Sequence, residues 1–153
     1  MISSYTARYS PVQDKKIILV GGCFDVLHYG HLRFLKQAKA LGDYLIVALE
    51  SDESLSETKN RKVFHTQKQR AEILESLRVV DEVLLLPQMA SDQNYLDLVQ
   101  RIAPTIIALT QGDPQAHNKE RQAKSIGALC VPVPFEKGFS TTDLLGKYNG
   151  CAE

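Results

Sequence analysis

Short apolar segments alternate with segments of helical periodicity along almost the whole of this 153-residue chain. The helical segments repeat apolar residues every three or four positions, as in Leu32, Leu35, Ala38 and Leu41. The apolar segments predict five buried strands, with the sequences KKIILV, YLIVAL, EVLLL, TIIAL and LCVPV. Strands this uniformly apolar have no face for water, which is typical of a parallel sheet covered by helices on both sides. The pattern therefore predicts an α/β fold: a single Rossmann-like, doubly wound domain with a five-stranded parallel sheet and helices on both faces.

The predicted helices have sequence signals at their ends, which set the limits of the domain. Thr66 followed by Gln69 forms a capping-box pattern at one helix start, and Gly42 and Gly127 follow the ends of two others. The expected helices extend over about residues 31–42, 66–77, 91–104, 115–126 and 140–148. No linker or second domain is indicated, so we expect one domain at residues 15–148, with tails at residues 1–14 and 149–153.

Charge and composition exclude several classes of protein. Lys and Arg together number 18, as do Asp and Glu, so no overall charge attracts nucleic acid or a membrane surface. The apolar runs are too short to span a bilayer, and the N-terminus lacks the apolar stretch of a signal peptide, so we expect a cytoplasmic protein. The three cysteines, Cys23, Cys130 and Cys151, have no CxxC spacing, which argues against a disulfide framework or a zinc site.

The loops that follow the strands are the expected site, because ligands of such a sheet bind at the carboxyl ends of its strands. The first loop, GGCFDVLHYGH, is rich in glycine and ends at a helix N-terminus, where backbone N–H groups and the helix dipole favour a phosphate. It matches neither GxGxxG nor GxxxxGK[ST], so neither a dinucleotide dehydrogenase nor a Walker-type ATPase is indicated. Three further loops are expected on the same rim: ESDESLSETKNRKVFH, TQGDPQAHNK and FEKGFSTT.

His28 and His31 bring two imidazoles to this helix start. Two hydrogen-bond donors beside a phosphorus would stabilise the charge that develops in phosphoryl transfer, and Gly30 would let phosphates approach the backbone. Metal binding is a rival reading, but zinc-binding histidines on a helix usually stand four apart and need a third ligand, which the sequence does not offer. An ordinary surface histidine beside a helix-capping histidine is the remaining alternative.

These residues belong to a longer segment that resembles a known family. The segment GCFDVLHYGHLRFLKQAKALGDYLIVAL resembles the core of the HxGH nucleotidyltransferase superfamily, the cytidylyltransferase-like group, with His28, Gly30 and His31 as its signature. The likeness continues through SDES, KNRKVFHTQKQRAEIL, VDEV and GFSTTDLL. It implies an enzyme that transfers a nucleoside monophosphate from a nucleoside triphosphate to a phosphate-bearing acceptor, with Mg²⁺ as cofactor and pyrophosphate as product. An acceptor phosphate is already ionised, so positioning and charge neutralisation suffice.

The resemblance also implies roles for individual residues. The catalytic residues would be His28, His31 and Lys59. Nucleotide and phosphate contacts would come from Gly22, Cys23, Phe24, Gly30, Arg61, Arg70, Gly112, Asp113, Ser140, Thr141 and Thr142, and the metal ligands stay unassigned.

Some of these assignments have ordinary structural alternatives. A basic run such as that of Lys59 and Arg61 is often only a solvated surface, Ser140 could be a simple N-cap, and Asp113 follows a glycine as in many turns. Asp25 is interpreted as a residue that organises the first loop rather than as a base.

The substrates are not fixed by the motifs. RKVFHTQKQR resembles glycerol-3-phosphate cytidylyltransferase, which implies CTP, whereas Phe135-Glu136-Lys137-Gly138 before the serine and threonines resembles the heptose-1-phosphate adenylyltransferase domain. That domain has lysine and glycine where this chain has Thr110 and Gln111. Archaeal-type FAD synthases, which join AMP to FMN, are a third similar group. We therefore expect transfer from CTP or ATP to glycerol 3-phosphate or a sugar phosphate.

Other readings stay open beside this one. The chain could act on FMN, as FAD synthases do, or could be an inactive nucleotide-binding module. A flavodoxin-like or receiver-type domain would leave His28, His31 and Lys59 unexplained. Relatives in the superfamily are commonly dimers, so a homodimer is expected, although no interface is identified.

Overall fold

A six-stranded parallel sheet organises the computed structural model, which describes residues 1–5, 14–59, 62–134, 137–140, 143, 144, 146 and 147. Its strands are β1 (Ile2–Ser4), β2 (Ile17–Gly22), β3 (Tyr44–Leu49), β4 (Glu82–Leu85), β5 (Ile106–Thr110) and β6 (Leu129–Val133). The helices are α1 (Tyr29–Lys39), α2 (Asp52–Lys59), α3 (Gln67–Glu75), α4 (Asp92–Ile102) and α5 (Ala116–Ser125). Within the described part of the chain, no helix is both long and apolar enough to cross a membrane.

The strand order is β1-β4-β3-β2-β5-β6, and every neighbouring pair is parallel. The chain moves outward from β2 through β3 to β4, then returns to place β5 on the other side of β2. Ligands of doubly wound sheets bind where the direction of winding reverses. The carboxyl ends of β2 and β5 therefore mark the expected site.

Each interior strand contributes side chains to two apolar cores, one on each face of the sheet. Ile18 and Val20 belong to the core that α1 and α3 cover, while Ile17 and Leu19 belong to the core under α4 and α5. Because successive side chains of a strand point to opposite faces, covering both faces requires an unbroken apolar strand. The α/β fold with helices on both faces is thus confirmed.

The capping pattern at Thr66 is confirmed at the start of α3. The Gln69 N–H donates to Thr66 Oγ1 at 3.3 Å, and the Thr66 N–H donates to Gln69 Oε1 at 3.1 Å. The start and end of α5, with Gln115 and Ile126 as flanking residues, also agree with the expected limits.

A sixth strand corrects the predicted count of five. Residues 2–4 form β1, which pairs with β4 at one edge of the sheet, inside the segment that was expected to be a tail. The Ser3 hydroxyl donates to the buried carboxylate of Glu82 at 2.5 Å and holds this strand in place. The sequence ISS has a single large apolar residue, so no strand periodicity could reveal it.

Helix α2 corrects the prediction of a long second loop. It begins after Ser51, whose Oγ accepts a hydrogen bond from the Ser54 N–H at 3.2 Å, and Asp52 in its first turn suits the helix dipole. Leu55 is buried, whereas the other described side chains of the helix are at least partly exposed. A single buried apolar position produces no helical repeat, which explains why the sequence pattern missed this helix.

Candidate active site

His28 and His31 cap each other at the start of α1. His28 is the N-cap, with φ −136° and ψ 176°, so the helix begins at Tyr29 rather than at His31 as expected. The His31 N–H donates to His28 Nδ1 at 3.4 Å, and the His28 N–H donates to His31 Nδ1 at 3.3 Å. The two rings stack with their centroids 3.8 Å apart. This is the reciprocal arrangement of a capping box, with imidazoles in place of the usual hydroxyl and carboxylate.

The mutual cap determines which nitrogen of each ring can donate. A nitrogen that accepts a hydrogen bond has no proton, so each neutral ring holds its proton on Nε2. Partial burial lowers the pKa of His28 below its usual value, and this effect outweighs the opposing charge of Asp143. The capping role and the donor role of these histidines are therefore compatible, because they use different nitrogens.

Gly30 is required by a close contact within the protein. A Cβ at this position would lie 2.7 Å from the carbonyl oxygen of Phe139 and 3.0 Å from Cε1 of His28. The rings of Phe139 and Tyr29 also meet edge to face, with centroids 5.1 Å apart. Gly30 therefore admits the segment at residues 137–140 to the helix start. The expected approach of ligand phosphates to its backbone stays a prediction.

Ser140 begins the last helical segment, in which Asp143, Leu144, Gly146 and Lys147 are described as helical. The Asp143 N–H donates to Ser140 Oγ at 3.0 Å, and the Ser140 N–H donates to Asp143 Oδ2 at 3.2 Å. These bonds lower the pKa of the Asp143 carboxyl. Ser140 is therefore an N-cap, in agreement with the structural alternative to phosphate binding given above. Thr141 and Thr142 lie outside the described residues.

Two buried charged residues organise the loops around the histidines. Asp25, as expected, accepts hydrogen bonds from the N–H groups of Phe64 and His65, both at 3.0 Å. Arg70 donates to the Cys23 carbonyl at 2.6 Å, to the His65 carbonyl at 3.1 Å and to Asp52 Oδ1 at 2.7 Å. The Arg70 side chain has no exposure, so the expected contact with phosphate is not what the structure supports. It joins the first loop, α2 and the segment before α3.

The first loop is held in an unusual backbone conformation. Phe24 and Val26 have φ values of 46° and 56°, which cost about 1 to 3 kcal/mol each for residues other than glycine. The Phe24 ring is buried, 5.2 Å from the ring of His31, and a Cβ on Gly22 would lie 2.9 Å from it. Phe24 therefore supports the loop from within, and its expected contact with the nucleotide or phosphate stays a prediction.

Gly112 and Asp113 form the turn that follows β5. Gly112 has φ 83°, a conformation that favours glycine, and Asp113 accepts a hydrogen bond from the Gln115 N–H at 2.7 Å. Lys119 donates to Asp113 Oδ2 at 2.6 Å. The turn interpretation of Asp113 is therefore correct. This does not remove the pair from the site, since Asp113 and Lys119 both line the cavity described next.

A cavity of about 500 Å³ opens at the carboxyl ends of the strands, on the α4 and α5 side of the sheet. We call it the rim cavity. Gly22 and Cys23 of the first loop line its middle, Glu50 and α2 line the β3 end, and Asp113 lines the β5 end. Its walls are mainly apolar.

Glu50 and Tyr95 are the functional candidates that sequence reasoning missed. The Tyr95 hydroxyl donates to Glu50 Oε1 at 2.8 Å, and burial raises the pKa of Glu50 despite this bond and the nearby charge of Lys119. The available signal was the position of Glu50 directly after the strand YLIVAL, on the expected rim. Its pairing with a residue of α4, 45 positions away, had no sequence signal.

Two of the expected basic side chains lie outside the described part of the chain. Lys59 is the last residue of α2, but its side chain is not among the described ones, and Arg61 also lies outside them. Among the described residues, no three His, Cys, Asp or Glu side chains are grouped so as to hold a metal ion.

Known proteins are similar to this chain in sequence and in fold. A family model described as cytidylyltransferase-like matches residues 19–143. A FAD synthase of Pyrococcus horikoshii is 43% identical over 135 residues, which make up 84% of this chain and 89% of the relative. The bifunctional protein HldE of Koribacter versatilis is 34% identical over 138 residues, 88% of this chain and 27% of that protein. The crystal structure of a lipopolysaccharide core biosynthesis protein from Thermoplasma volcanium matches with a TM-score of 0.63 and 26% identity, covering 80% of this chain and 98% of that one.

Proposed function

This chain belongs to the cytidylyltransferase-like family of nucleotidyltransferases, and on that basis we propose that it joins the AMP moiety of ATP to FMN, forming FAD and pyrophosphate. The observation that carries this choice is the similarity to FAD synthases, which extends over most of both chains. The match to the HldE protein covers only about a quarter of that protein. FMN thus replaces glycerol 3-phosphate or a sugar phosphate as the first candidate acceptor.

The proposed reaction is an in-line displacement at the α-phosphorus of ATP. An oxygen of the FMN phosphate forms a bond to this phosphorus, the bond to the bridging oxygen of the β-phosphate breaks, and pyrophosphate leaves. The FMN phosphate is ionised at neutral pH and needs no strong base. Nε2–H donors of His28 and His31, together with the N-terminal end of α1, would stabilise the charge on the reacting phosphate.

The remaining phosphate contacts are carried over as proposals. Lys59 and Arg61, at and just after the end of α2, would neutralise phosphates of the two substrates. Ser140, Thr141 and Thr142 would bind the β- and γ-phosphates, and the turn at Gly112 and Asp113 would lie beside the base and ribose.

Mg²⁺ is proposed to enter with the triphosphate. Mg²⁺ is usually held by substrate phosphates and waters with one or two carboxylates rather than by a cage of protein ligands. Carboxylates line the rim cavity, among them Asp113 at the β5 end, and one or two of them would be enough to hold the ion beside the phosphates. When bound, the ion would neutralise triphosphate charge.

A second acceptor is supported by a separate observation. HldE of Koribacter versatilis is more than 30% identical across most of this chain, and the segment before Ser140 resembles the heptose-1-phosphate adenylyltransferase domain. Transfer of AMP to a sugar phosphate is therefore the second candidate. Transfer from CTP to glycerol 3-phosphate ranks below it, because that reading depended on the second loop alone.

The test is pyrophosphate release with Mg²⁺ and either ATP or CTP, against FMN, heptose 1-phosphate and glycerol 3-phosphate in turn. We expect a signal with ATP and FMN, accompanied by FAD, and none with riboflavin, which has no phosphate. A signal with another pair and none with FMN would refute the proposal. ATP binding without turnover on any acceptor would identify a nucleotide-binding module. A cytoplasmic location and a homodimer are kept as proposals.

A further inference from the structure

The carboxylate of Glu50 differs from the other carboxylates described around the rim cavity. Asp113 pairs with Lys119, Asp92 pairs with Arg121 and Gln122, and Glu57 accepts a hydrogen bond from Gln88. Among the described residues, Glu50 receives a hydrogen bond from the Tyr95 hydroxyl on Oε1, and its buried Oε2 has no hydrogen-bond partner there. A buried acceptor without a donor is uncommon, and a donor supplied by a ligand would account for it.

Glu50 is also held firmly at one end of the cavity. Its backbone N–H donates to the carbonyl of Gly22 at 3.0 Å, so it extends the pairing of β3 with β2 up to the edge of the first loop. Tyr95 of α4 fixes its side chain from the opposite wall. The carboxylate is therefore preorganised for a ligand, beside the loop where the phosphates are proposed to react.

The walls around Glu50 suit a flat apolar ligand. Leu19, Ala48 and Ile107 come from three neighbouring strands and form part of the sheet side of the cavity, while Leu98 and Val99 of α4 lie on its helix side. The turn at Gly112 and Asp113, proposed for the nucleotide, is at the β5 end. The β3 end, on the other side of Gly22, is therefore available for the acceptor.

We propose that the β3 end of the rim cavity binds the ring system of the acceptor, and that Glu50, positioned by Tyr95, selects the acceptor by receiving a hydrogen bond from a ring N–H. This inference rests on the proposed function, in which the acceptor is FMN. The oxidised isoalloxazine system is flat, with an apolar dimethylbenzene end, and its one N–H is at N3 of the pyrimidine end. Sugar phosphates have neither property, so Glu50 is a specificity-determining residue for the flavin.

Kinetics of Glu50→Gln test the inference. The amide keeps the size of the side chain and an oxygen for Tyr95, but turns an N–H donor toward the flavin N–H. We expect the KM for FMN to rise about tenfold or more, with the KM for ATP changed less than about twofold. Tyr95→Phe should raise the KM for FMN less, with kcat nearly unchanged, because it only loosens the carboxylate. Glu72→Gln, at an exposed position of α3, is the matched control and should leave both KM values unchanged.

An N3-methylated FMN provides a second test of the inference, because it lacks the ring N–H. The wild-type protein should bind it about tenfold more weakly than FMN, measured by quenching of flavin fluorescence without ATP, and Glu50→Gln should lose this preference. If Glu50→Gln raises the KM for ATP instead, or changes neither KM, the inference is wrong while FAD synthesis stands. If the wild type makes no FAD but binds riboflavin in a manner that depends on Glu50, the proposed function fails and the inference holds.

Discussion

The carbonyl oxygen of Cys23 accepts a hydrogen bond of 2.6 Å from the buried guanidinium of Arg70. The same guanidinium also holds the carbonyl of His65 and the carboxylate of Asp52. One side chain therefore fixes three segments around the site, and its three acceptors would lose their donor together if it were removed.

Arg70→Lys should consequently destabilise the protein. A lysine ammonium cannot reproduce the planar fork, so some of the three acceptors lose their partner. We expect a loss of about 2 to 4 kcal/mol in the free energy of unfolding, measured by urea denaturation. Arg78→Lys, at an exposed position, is the control and should change it by less than about 0.5 kcal/mol. Unchanged stability with weakened ATP binding would restore Arg70 as a phosphate ligand.

The two functions of His28 can be separated by substitution. Asparagine is a good N-cap but offers no donor where the imidazole Nε2 lies, whereas alanine supplies neither. We expect His28→Asn to retain most of the thermal stability and to reduce turnover about a hundredfold or more. His28→Ala should lose turnover and, in addition, about 0.5 to 2 kcal/mol of stability. Wild-type turnover in His28→Asn would show that the ring acts only as a cap.

The His28 ring also predicts a pH dependence of stability. Partial burial lowers its pKa below the usual 6.5, against the opposing charge of Asp143, so the folded protein binds this proton less tightly than the unfolded chain. The resulting stabilisation is complete above pH 6.5 and is lost as the pH falls through the folded pKa. The free energy of unfolding should decline there, and less so in His28→Asn. Superimposable pH profiles of the two proteins would contradict this assignment.

Gly30→Ala should impair activity through the segment at residues 137–140. The new Cβ would meet the Phe139 carbonyl at 2.7 Å, and backbone rather than a flexible side chain must move. We expect a drop in turnover and a higher KM for ATP, because Ser140 is displaced from the histidines. Gly146→Ala, where no atom of the described residues lies within 4 Å of an added Cβ, should leave both parameters unchanged. Equal effects of the two changes would exclude the steric explanation.

Lys59→Ala should reduce nucleotidyl transfer much more than thermal stability. A lysine that neutralises phosphates acts mainly in the ternary complex, while surface lysines contribute little to folding. Turnover and melting temperature can be measured on the same preparation, with Lys124→Ala on α5 as the control. A parallel loss of both quantities in Lys59→Ala would indicate a structural role.

The sequence reveals best what repeats locally. Unbroken apolar strands require cover on both faces, so the parallel sheet was predictable, and the pattern of Thr66 and Gln69 lies within one helical turn. Helix α2 and β1 were missed because each has too few apolar residues to show a period. Glu50 and Tyr95 come into contact only when α4 packs on the sheet. The sequence around Arg70 has no feature that distinguishes a buried arginine from an exposed one.

Residues 2–4, which form the short β1, have a consequence for how copies of this protein could meet. An open sheet tends to grow by pairing its outermost strand with another chain, unless that strand is short or unable to donate hydrogen bonds. Here β1 is three residues long, and the opposite outermost strand, β6, contains Pro132, which has no N–H. Both edges of the sheet, as the described residues form it, are poor templates for strand addition. A homodimer of this chain should therefore join through helices or loops, and each protomer should keep its own sheet.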